Sequence, residues 1–300
     1  KNERSDRPFR PFSKDFVAHP NLIALNDPAD PRVREYRALK EGDLSRGIDA
    51  AAPFGSFVCE GALVAEHLLA SPFPCRSFLI AESKLESQRR LLEQAPAQTP
   101  VYVAPDAVLH EVVGFKFHRG LLAAGARTPP PSPEEARKRI AAAPALVVLE
   151  DLTNLDNMGG LFRCVSALAP EGTVIVLSPQ SVDPLYRKAI RVSMGHSLRI
   201  PYVTLSPWED APTRLRQAGF EMIALTPDAG AEKLTDVSAR SVPQQRKLAL
   251  ALGSEGPGLS PMMLASADRR VRIAQRPGVD SLNVMVAGAI AMSALFRPGV

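Results

Sequence analysis

The amino-acid sequence predicts an α/β protein of two domains, the second of them built around a parallel sheet that helices cover on both faces. Continuous apolar runs of strand length alternate with stretches of helical spacing along most of the 300 residues. Such alternation is typical of buried parallel sheets. A proline cluster at residues 129–133 interrupts the alternation, and because proline blocks regular pairing and stiffens the chain, it indicates a domain boundary.

This pattern divides the chain into four expected parts. We expect a flexible basic arm at residues 1–20, which are polar and rich in lysine and arginine. A small first domain is expected at 21–128 and a proline-rich linker with the start of a helix at 129–140. The second domain is expected at 141–300. With 45% hydrophobic residues, the chain has enough apolar material for a core in each domain.

The first domain is predicted from short segments that alternate between the periodicity of strands and that of helices. "PRVREYRAL" has helical spacing. Strands are then expected at "GSFVCEG", "RSFLIAES", "TPVYVAP" and "RGLLAAGAR". Helices are expected between them at "ALVAEHLLAS", "ESQRRLLEQA" and "PDAVLHEVVG".

The linker helix has a recognisable beginning. Ser132 is of a residue type that caps helices, and Pro133 suits the first helical position. Glu134 and Glu135 place negative charge at the positive end of the helix dipole. We therefore expect a helix to begin at Pro133.

The second domain begins with a predicted strand–helix–strand unit and continues in the same alternation. Strands are expected at "ALVVLED", "GTVIVLSP", "SLRIPYVTL", "FEMIALTP", "LALAL" and "RRVRIA". Helices are expected at "MGGLFRCVSALA", "PLYRKAIRVSMG", "WEDAPTRLRQAG" and "SLNVMVAGAIAMSALF".

The composition argues for or against several classes of protein. A net charge of +4 and a pI of about 9.1 are compatible with a polyanionic partner. No apolar run is long enough to span a bilayer, and no secretory signal pattern opens the sequence. Cys59, Cys75 and Cys164 lie far apart without metal-ligand spacing, and the histidines are scattered. We therefore expect buried free thiols, no metal, no membrane association and a reducing, cytoplasmic location.

The stretch "GSEGPGLS", which follows an apolar strand, raises the question of a ligand-binding loop. It lacks the lysine and hydroxyl residue of a phosphate-binding P-loop. Its GxxGxG spacing, with Pro257 inside it, also fails the dinucleotide fingerprint. Glu255 would repel a phosphate, so a hydroxyl-rich or cationic ligand suits the loop better. A simple turn without a ligand remains an alternative at this point.

Two further stretches carry polar residues at the start of helices. In "LTNLDNMGGLFR", Asn157 and Arg163 are six positions apart, and we expect the loop and helix start to direct both at one point. In "RIAQRPGVDSLNVMVAGAIAMSAL", a strand ends at Ile273, and Ser281 or Asn283 starts a helix full of small residues. Each stretch alone favours a structural role, because lone asparagine and arginine residues at a helix start are more often structural and "SLNV" could simply be a cap.

Taken together, the three stretches resemble the three motifs of the SpoU-type (TrmH-like) RNA ribose 2′-O-methyltransferases in the SPOUT superfamily. The order and spacing of the motifs agree over about 150 residues. The residues that carry the resemblance are Asn157, Gly159 and Arg163, then Gly253, Glu255, Gly256, Gly258 and Leu259, and finally Ile273, Ser281, Leu282 and Asn283. The segment between the first two motifs also resembles the family through Asp183, Pro184, Arg191, Ser193 and Gly195. More loosely, the first domain resembles a ribosomal-protein-like substrate-binding domain.

The resemblance implies a fold and a cofactor that periodicity could not supply. It implies a deep trefoil knot in the second domain and a homodimer packed through it, with the active site near the interface. It also implies S-adenosyl-L-methionine as the cofactor, bound by residues on three segments of the chain. These cofactor-binding residues are Leu225, Thr226, Gly253, Ile273 and Leu282.

For catalysis the resemblance implies Asn157, Arg163, Glu255, Ser281 and Asn283. The family's mechanism gives the arginine the role of a base. A guanidinium group is effectively always protonated, so we expect Arg163 to position the target phosphate and to stabilise the developing alkoxide. Asn157 would orient the nucleotide with it, while Glu255 and Ser281 would shape the site.

The sequence departs from the family at a few loop positions. Asn154-Leu155 stands where the family usually has Asp-Pro, and Ala274-Gln275 where it has Pro-Met. Met285 stands where a small residue is common. These changes bear on the choice of substrate more than on the chemistry.

The expected partner is RNA, because only RNA carries the 2′-hydroxyl. Phosphate contacts that weaken with salt would come from basic residues of the arm and first domain. The candidates are Arg10, Lys14, Arg46, Lys116 and Arg119. Ribosomal RNA is favoured over transfer RNA, because the predicted front domain resembles a ribosomal protein.

Three alternatives remain open from the sequence. A member of the same fold could bind RNA without transferring a methyl group. A relative could methylate a base rather than a ribose. The chain could also be a nucleotide-binding metabolic enzyme with an ordinary doubly wound sheet.

Overall fold

The computed structural model describes residues 19–37, 44–46, 49–114, 119–241, 247–276, 278 and 281–296. The expected arm at 1–20, except for its last two residues, lies outside this range. Four individual residues of the sequence prediction also lie outside it, namely Arg10, Lys14, Lys116 and Pro277.

Strands occur at most of the predicted positions. In chain order the described strands are β1 Leu22–Ala24, β2 Ser56–Glu60, β3 Cys75–Ala81, β4 Val101–Ala104, β5 Leu121–Ala126, β6 Ala145–Leu149, β7 Val174–Leu177, β8 Tyr202–Thr204, β9 Phe220–Leu225, β10 Glu232–Lys233, β11 Lys247–Leu252 and β12 Arg269–Arg272. The α-helices are α1 Ala62–Leu69, α2 Arg89–Gln94, α3 Asp106–Val113, α4 Pro133–Ala142, α5 Leu155–Leu168, α6 Arg187–Val192, α7 Ala211–Gln217, α8 Leu234–Ser241, α9 Pro261–Ser266 and α10 Val284–Leu295.

Several details differ from the sequence prediction. "PRVREYRAL" forms a 3₁₀ helix at Pro31–Tyr36. The expected strand at "SLRIPYVTL" is shorter, because the left-handed Gly195 leads into a 3₁₀ turn at His196–Leu198 before β8 begins. Four short elements were not predicted: β1, β10, α8 and α9. β1, β10 and α9 are too brief to give a periodic signal, whereas α8 lies in a stretch that is polar overall.

The chain divides into two compact units. Of the described residues, the first unit comprises those from 19 to 129 together with Leu185–Arg199, and the second comprises Pro130–Pro184 and those from 200 to 296. The continuous boundaries expected from the sequence do not include this excursion. Leu185, Ile190 and Leu198 are buried in a core of the first unit, which explains why their segment belongs to it.

The first unit contains a five-stranded mixed sheet in the order β1-β4-β3-β5-β2. β1 and β3 pair with β4 in parallel, whereas β5 runs antiparallel to both β2 and β3. A buried apolar cluster lies on each face of this sheet. The small α/β domain expected from the sequence is therefore present.

The second unit contains a seven-stranded sheet in the order β10-β12-β9-β11-β6-β7-β8, and every pairing is parallel. Ala249 and Ala251 of β11 face a cluster that includes Ile140 of α4. Leu252 of the same strand lies toward α10 on the other face, near Gly288. The predicted parallel sheet with two covered faces is confirmed.

A late strand is inserted near one edge of this sheet. β12 lies between β9 and β10, although it follows both in the chain. The connection at 226–231 therefore passes the position that β12 later fills. The first unit shows the same kind of insertion, where β5 lies between β2 and β3. The strand order alone therefore does not indicate a knot, and the trefoil knot stays a prediction.

Helix caps fix where the helices begin. Ser132 and Glu135 form the reciprocal hydrogen bonds of a capping box, with N–O distances of 2.8 and 3.3 Å. The predicted start at Pro133 is confirmed. Asn283, rather than Ser281, caps α10.

The cysteines are free thiols, as expected. Cys59 is buried, but Cys75 and Cys164 are only partly buried, so the expectation of full burial was wrong for these two. Desolvation nevertheless raises the pKa of Cys75 to about 12. A thiol with so high a pKa is almost entirely protonated at neutral pH and is therefore a poor nucleophile.

The contact between α5, α10 and β11 depends on Gly288. A Cβ at this position would lie 2.7 Å from Leu161 Cδ2 and 2.9 Å from Leu252 Cδ1, and both leucines are fully buried. We expect Gly288→Ala to lower the free energy of unfolding by about 1–2 kcal/mol, because overpacking outweighs the gain in helix propensity. Urea unfolding measures the effect. Ser293→Ala on the exposed side of α10 is the control, and an unchanged midpoint for Gly288→Ala would contradict the packing.

Candidate active site

A cavity of about 280 Å³ lies at the carboxyl ends of β9, β11 and β12. Ligands of open parallel sheets bind at this edge, because the loops that follow the strands meet there. All five residues predicted to bind the cofactor line the cavity: Leu225, Thr226, Gly253, Ile273 and Leu282. Three of the predicted catalytic residues also line it: Glu255, Ser281 and Asn283.

The glycine loop forms one wall of the cavity. A Cβ on Gly253 would collide with the backbone of Gly258 and Leu259, so the loop closes on itself only because this residue is glycine. The Gly258 N–H donates to the Ser254 carbonyl at 3.1 Å. Gly256 and Gly258 have φ values of +88° and +74°, which glycine adopts readily. The loop therefore brings its backbone directly against the cavity.

Three side chains from the three motifs form one hydrogen-bonded network. Asn157 Nδ2 donates to Glu255 Oε1 at 2.7 Å. Asn283 Nδ2 donates to the same Glu255 oxygen at 2.8 Å and to Asn157 Oδ1 at 3.0 Å. The network joins segments that are 98 and 126 residues apart in sequence. We refer to Asn157, Glu255 and Asn283 as the Asn–Glu–Asn network.

Helix caps hold both asparagines in place. Asn154 Oδ1 accepts hydrogen bonds from the backbone N–H groups of Asp156 and Asn157 at 2.8 and 3.1 Å. Asparagine caps helices as well as aspartate does, so the change from the family's Asp-Pro keeps the start of α5. Asn283 caps α10 with Oδ1, which accepts from Met285 N at 2.9 Å. Its Nδ2 is thereby left to donate to the network.

Two features of the site were missed at the level of sequence. A Cβ on Gly160 would collide with the Met285 side chain, so Met285, unusual for the family, fills space that a glycine on α5 leaves open. Glu150 is buried and accepts hydrogen bonds from Ser260 N and Trp208 Nε1, both at 2.7 Å. It thus anchors the residue just after the glycine loop. The sequence offered one signal for Glu150, namely an acidic residue at the end of an apolar strand.

Arg163 is not brought together with Asn157. Both residues lie on α5, where Asn157 is buried and Arg163 is exposed. Residues six apart on an α-helix differ by roughly 240° in direction and about 9 Å along the axis. The expectation that both point at one position was therefore wrong within a single chain. Arg163 also does not line the cavity.

Gln275 adds an unsatisfied polar atom to the cavity. Its side chain lines the cavity, and its Oε1 is buried without a hydrogen-bond donor among the described residues. A buried acceptor without a donor is costly. The position is one of those at which the sequence departs from the family.

Two other expectations concern metals and membranes. Within the described ranges, no group of three or more histidine, cysteine, aspartate or glutamate side chains could hold a metal ion. Over the same part of the chain, no helix is both long and apolar enough to cross a membrane.

Known proteins resemble the chain in sequence. A profile described as the SpoU rRNA Methylase family matches residues 144–293. A protein of Mycobacterium tuberculosis, described as an uncharacterized tRNA/rRNA methyltransferase, is 37% identical over 284 residues. That alignment covers 94% of this chain and 95% of the relative.

Solved structures resemble the chain in fold. An AdoMet-bound rRNA methyltransferase from Sinorhizobium meliloti superposes with a TM-score of 0.71 at 22% identity, over 91% of this chain and 97% of the other. A structure described as an RNA 2′-O ribose methyltransferase superposes with a TM-score of 0.66 at 24% identity, over 91% and 98% of the two chains.

Replacing Asn283 separates its capping role from its role in the network. Asn283→Ala removes the cap and should cost about 1 kcal/mol of stability at every pH. Asn283→Asp keeps a capping oxygen but places a second carboxylate beside Glu255 Oε1. Repulsion between like charges raises the pKa of one carboxyl group in the folded state. A carboxyl group whose pKa is raised in the folded state destabilises the protein above that pKa and no longer does so below it. The loss in free energy of unfolding of Asn283→Asp, relative to the parent protein, should therefore shrink as the pH falls through that pKa.

Urea unfolding between pH 4 and pH 8 measures this difference. The Asn283→Ala variant is the matched control, because it lacks a charge at the same position. Parallel pH profiles for the two variants would contradict the contact between Asn283 and Glu255.

Proposed function

The chain belongs to the SpoU rRNA methylase family, and from that premise we propose that it transfers the methyl group of S-adenosylmethionine to a ribose 2′-hydroxyl of RNA. The family assignment makes it an RNA methyltransferase. The observation that carries the finer proposal is the Asn–Glu–Asn network beside the cavity, because it joins the three motifs of the ribose-methylating relatives in one place.

The cavity suits the proposed cofactor. No lysine or arginine occurs among the described residues that line it, whereas Glu255 does. Such a lining disfavours phosphate groups and favours a cationic ligand. S-adenosylmethionine supplies a methyl group on a positively charged sulfonium, so no metal is needed for the transfer. Gln275 Oε1, buried without a donor, provides an acceptor for one of the cofactor's N–H or O–H groups.

The protein's remaining task is to hold a weakly acidic hydroxyl in line with the methyl group. We assign Asn157 to orient the nucleotide, with Glu255 and Asn283 fixing the direction of its amide. Ser281, exposed at the cavity, would contact the substrate side. Because Arg163 lies away from the cavity of its own chain, it would act at the site of the second protomer in the proposed homodimer. There it would bind the neighbouring phosphate and stabilise the developing alkoxide, and the proton would pass to a phosphate oxygen or water.

A homodimer would cover an apolar face of α10. Val286 and Ile290 are 42% and 40% exposed and are four residues apart, so they share one side of the helix. Exposed apolar side chains at this spacing favour contact with another protein surface. The homodimer, the knot and a cytoplasmic location remain part of the proposal.

The RNA substrate is proposed to be ribosomal RNA, with transfer RNA as the second candidate. The ribosomal-protein-like resemblance of the first domain favours the former. The description of the mycobacterial relative names both transfer RNA and ribosomal RNA.

Gln275 offers a test of the cofactor site. Gln275→Met keeps the volume but removes the unsatisfied acceptor, so the free protein should gain about 1–3 kcal/mol of stability. Because a hydrogen bond to the cofactor is lost, calorimetry should show about tenfold weaker binding of S-adenosylhomocysteine. Gln217→Met, at an exposed position, is the control. Equal affinity in Gln275→Met and the parent protein would remove Gln275 from the site.

Transfer of a labelled methyl group tests the function itself. Bulk RNA incubated with the protein and tritiated S-adenosylmethionine should become labelled, with the label in alkali-resistant dinucleotides. A 2′-O-methyl group blocks the hydroxyl that alkali needs for cleavage, whereas a methylated base does not. Label in alkali-sensitive nucleotides would indicate a base methyltransferase. Cofactor binding without any label would indicate the non-catalytic alternative, and binding of a nicotinamide cofactor alone would indicate a metabolic enzyme.

Arg163→Ala should abolish most of this transfer while leaving cofactor binding intact. Removing a group that stabilises transition-state charge typically costs about 10²–10³ in rate. Arg163 lies outside the cavity lining, so the calorimetric affinity for S-adenosylhomocysteine should not change. Arg137→Ala, on the exposed side of α4, controls for the loss of one positive charge. Unchanged turnover in Arg163→Ala would refute its role.

A further inference from the structure

Three arginine side chains of the first unit surround one buried carboxylate. Glu60, at the end of β2, is only 8% exposed. Arg187 Nη1 and Arg191 Nη1 lie 3.4 and 3.5 Å from its Oε2. Arg119 Nε lies 3.9 Å from its Oε1. We refer to these four residues as the Glu60 cluster.

The backbone fixes the position of the cluster. Arg119 Nη1 donates to the Glu60 carbonyl at 3.1 Å. The same side chain lies over Gly61, where an added Cβ would be 3.0 Å from Arg119 Cδ. Arg187 and Arg191 are four residues apart on α6, so they share one side of that helix. The guanidinium groups thus come from the bend before β5 and from one side of α6.

The charges of the cluster do not balance. Three guanidinium groups and one carboxylate give these four side chains a net charge of +2. A structural ion pair with Glu60 would need one arginine, and each further cation adds repulsion. The Arg119 and Arg191 side chains remain 53% and 42% exposed. They can therefore bind a second anion from the solvent side while Glu60 holds them from within.

The start of α1 adds positive potential next to the cluster. The helix begins at Ala62, and its cap residue Gly61 provides no side-chain hydrogen bond. The N-terminal end of a helix carries a partial positive charge. Since the Arg119 side chain lies against Gly61, both features favour an anion at the same place.

We propose that Arg119, Arg187 and Arg191 bind the phosphate backbone of the RNA substrate, and that Glu60 holds the three guanidinium groups in position for it. Guanidinium groups bind phosphate oxygens through paired hydrogen bonds. The proposal rests on the function proposed above for its choice of RNA. It adds Arg187 and Arg191 to Arg119, the member of this cluster that the sequence marked as a candidate.

RNA binding without cofactor tests the cluster independently of catalysis. The probe is a fluorescein-labelled RNA hairpin, and anisotropy gives its Kd over a series of salt concentrations. Arg119→Gln and Arg191→Gln should each bind about tenfold more weakly at low salt, the loss of one charge-assisted contact. The slope of log K against log salt should fall by about one for each variant. Arg90→Gln, an exposed arginine of the same unit, is the control of equal charge.

Glu60→Gln tests the positioning role of Glu60. It raises the net charge of the cluster by one but removes the carboxylate that holds the three guanidinium groups, so the folded variant should bind the hairpin more weakly than the parent protein. Tighter binding by the folded variant would overturn the positioning role, because added charge alone would then decide the affinity. Urea unfolding of each variant shows whether it is folded. If Glu60→Gln does not fold, the two arginine variants decide the question.

The outcomes separate the two proposals. Arg119→Gln and Arg191→Gln with the affinity and salt slope of Arg90→Gln would overturn the cluster as an RNA site. Saturable binding of labelled AMP that is lost in Arg119→Gln would assign the cluster to a free nucleotide and also overturn it. A parent protein that binds the hairpin through the cluster but transfers no methyl group would refute the proposed function alone.

Discussion

The Asn–Glu–Asn network is the interaction on which the arrangement of the site depends. Each of its members follows a different strand of the parallel sheet, and Glu255 Oε1 accepts hydrogen bonds from both asparagines. Asn283 also begins the last helix through its other amide atom. One side chain therefore links the start of α10 to the glycine loop. Asn157 is buried, and a buried amide requires hydrogen-bond partners. Glu255 and Asn283 supply them, so the three segments are held together at this point.

The glycine loop depends on this network and on the buried carboxylate of Glu150. Glu150 accepts from the backbone N–H and the hydroxyl of Ser260, so one glutamate holds the residue after the loop while Glu255 holds its middle. Gly253 permits the close return of the backbone between them. The wall of the cavity is thus fixed at its middle and at its carboxyl end by carboxylates rather than by cations. A loop built in this way is suited to a ligand without phosphate groups.

Local patterns of the sequence were enough to predict most of the fold. The central strands are continuous apolar runs, and the helices between them have clear periodicity and caps, as the capping box at Ser132 illustrates. The elements missed were β1, β10, α8 and α9. The first two and α9 are too short for a periodic signal, whereas α8 has its two buried apolar residues, Leu234 and Val237, in a mostly polar stretch. The assignment of residues 185–199 to the first unit could not be predicted either. It depends on which distant apolar surface those residues cover.

The sequence by itself determined which residue types form the candidate site, since the three motifs name the residues that line the cavity. Only the tertiary structure decided how they are used. It paired Asn157 with Glu255, separated Arg163 from both, and placed Met285 over Gly160. It also gathered three arginines around Glu60. The physical reason is that hydrogen bonds and ion pairs act over a few ångströms between residues that are up to 131 positions apart in the chain.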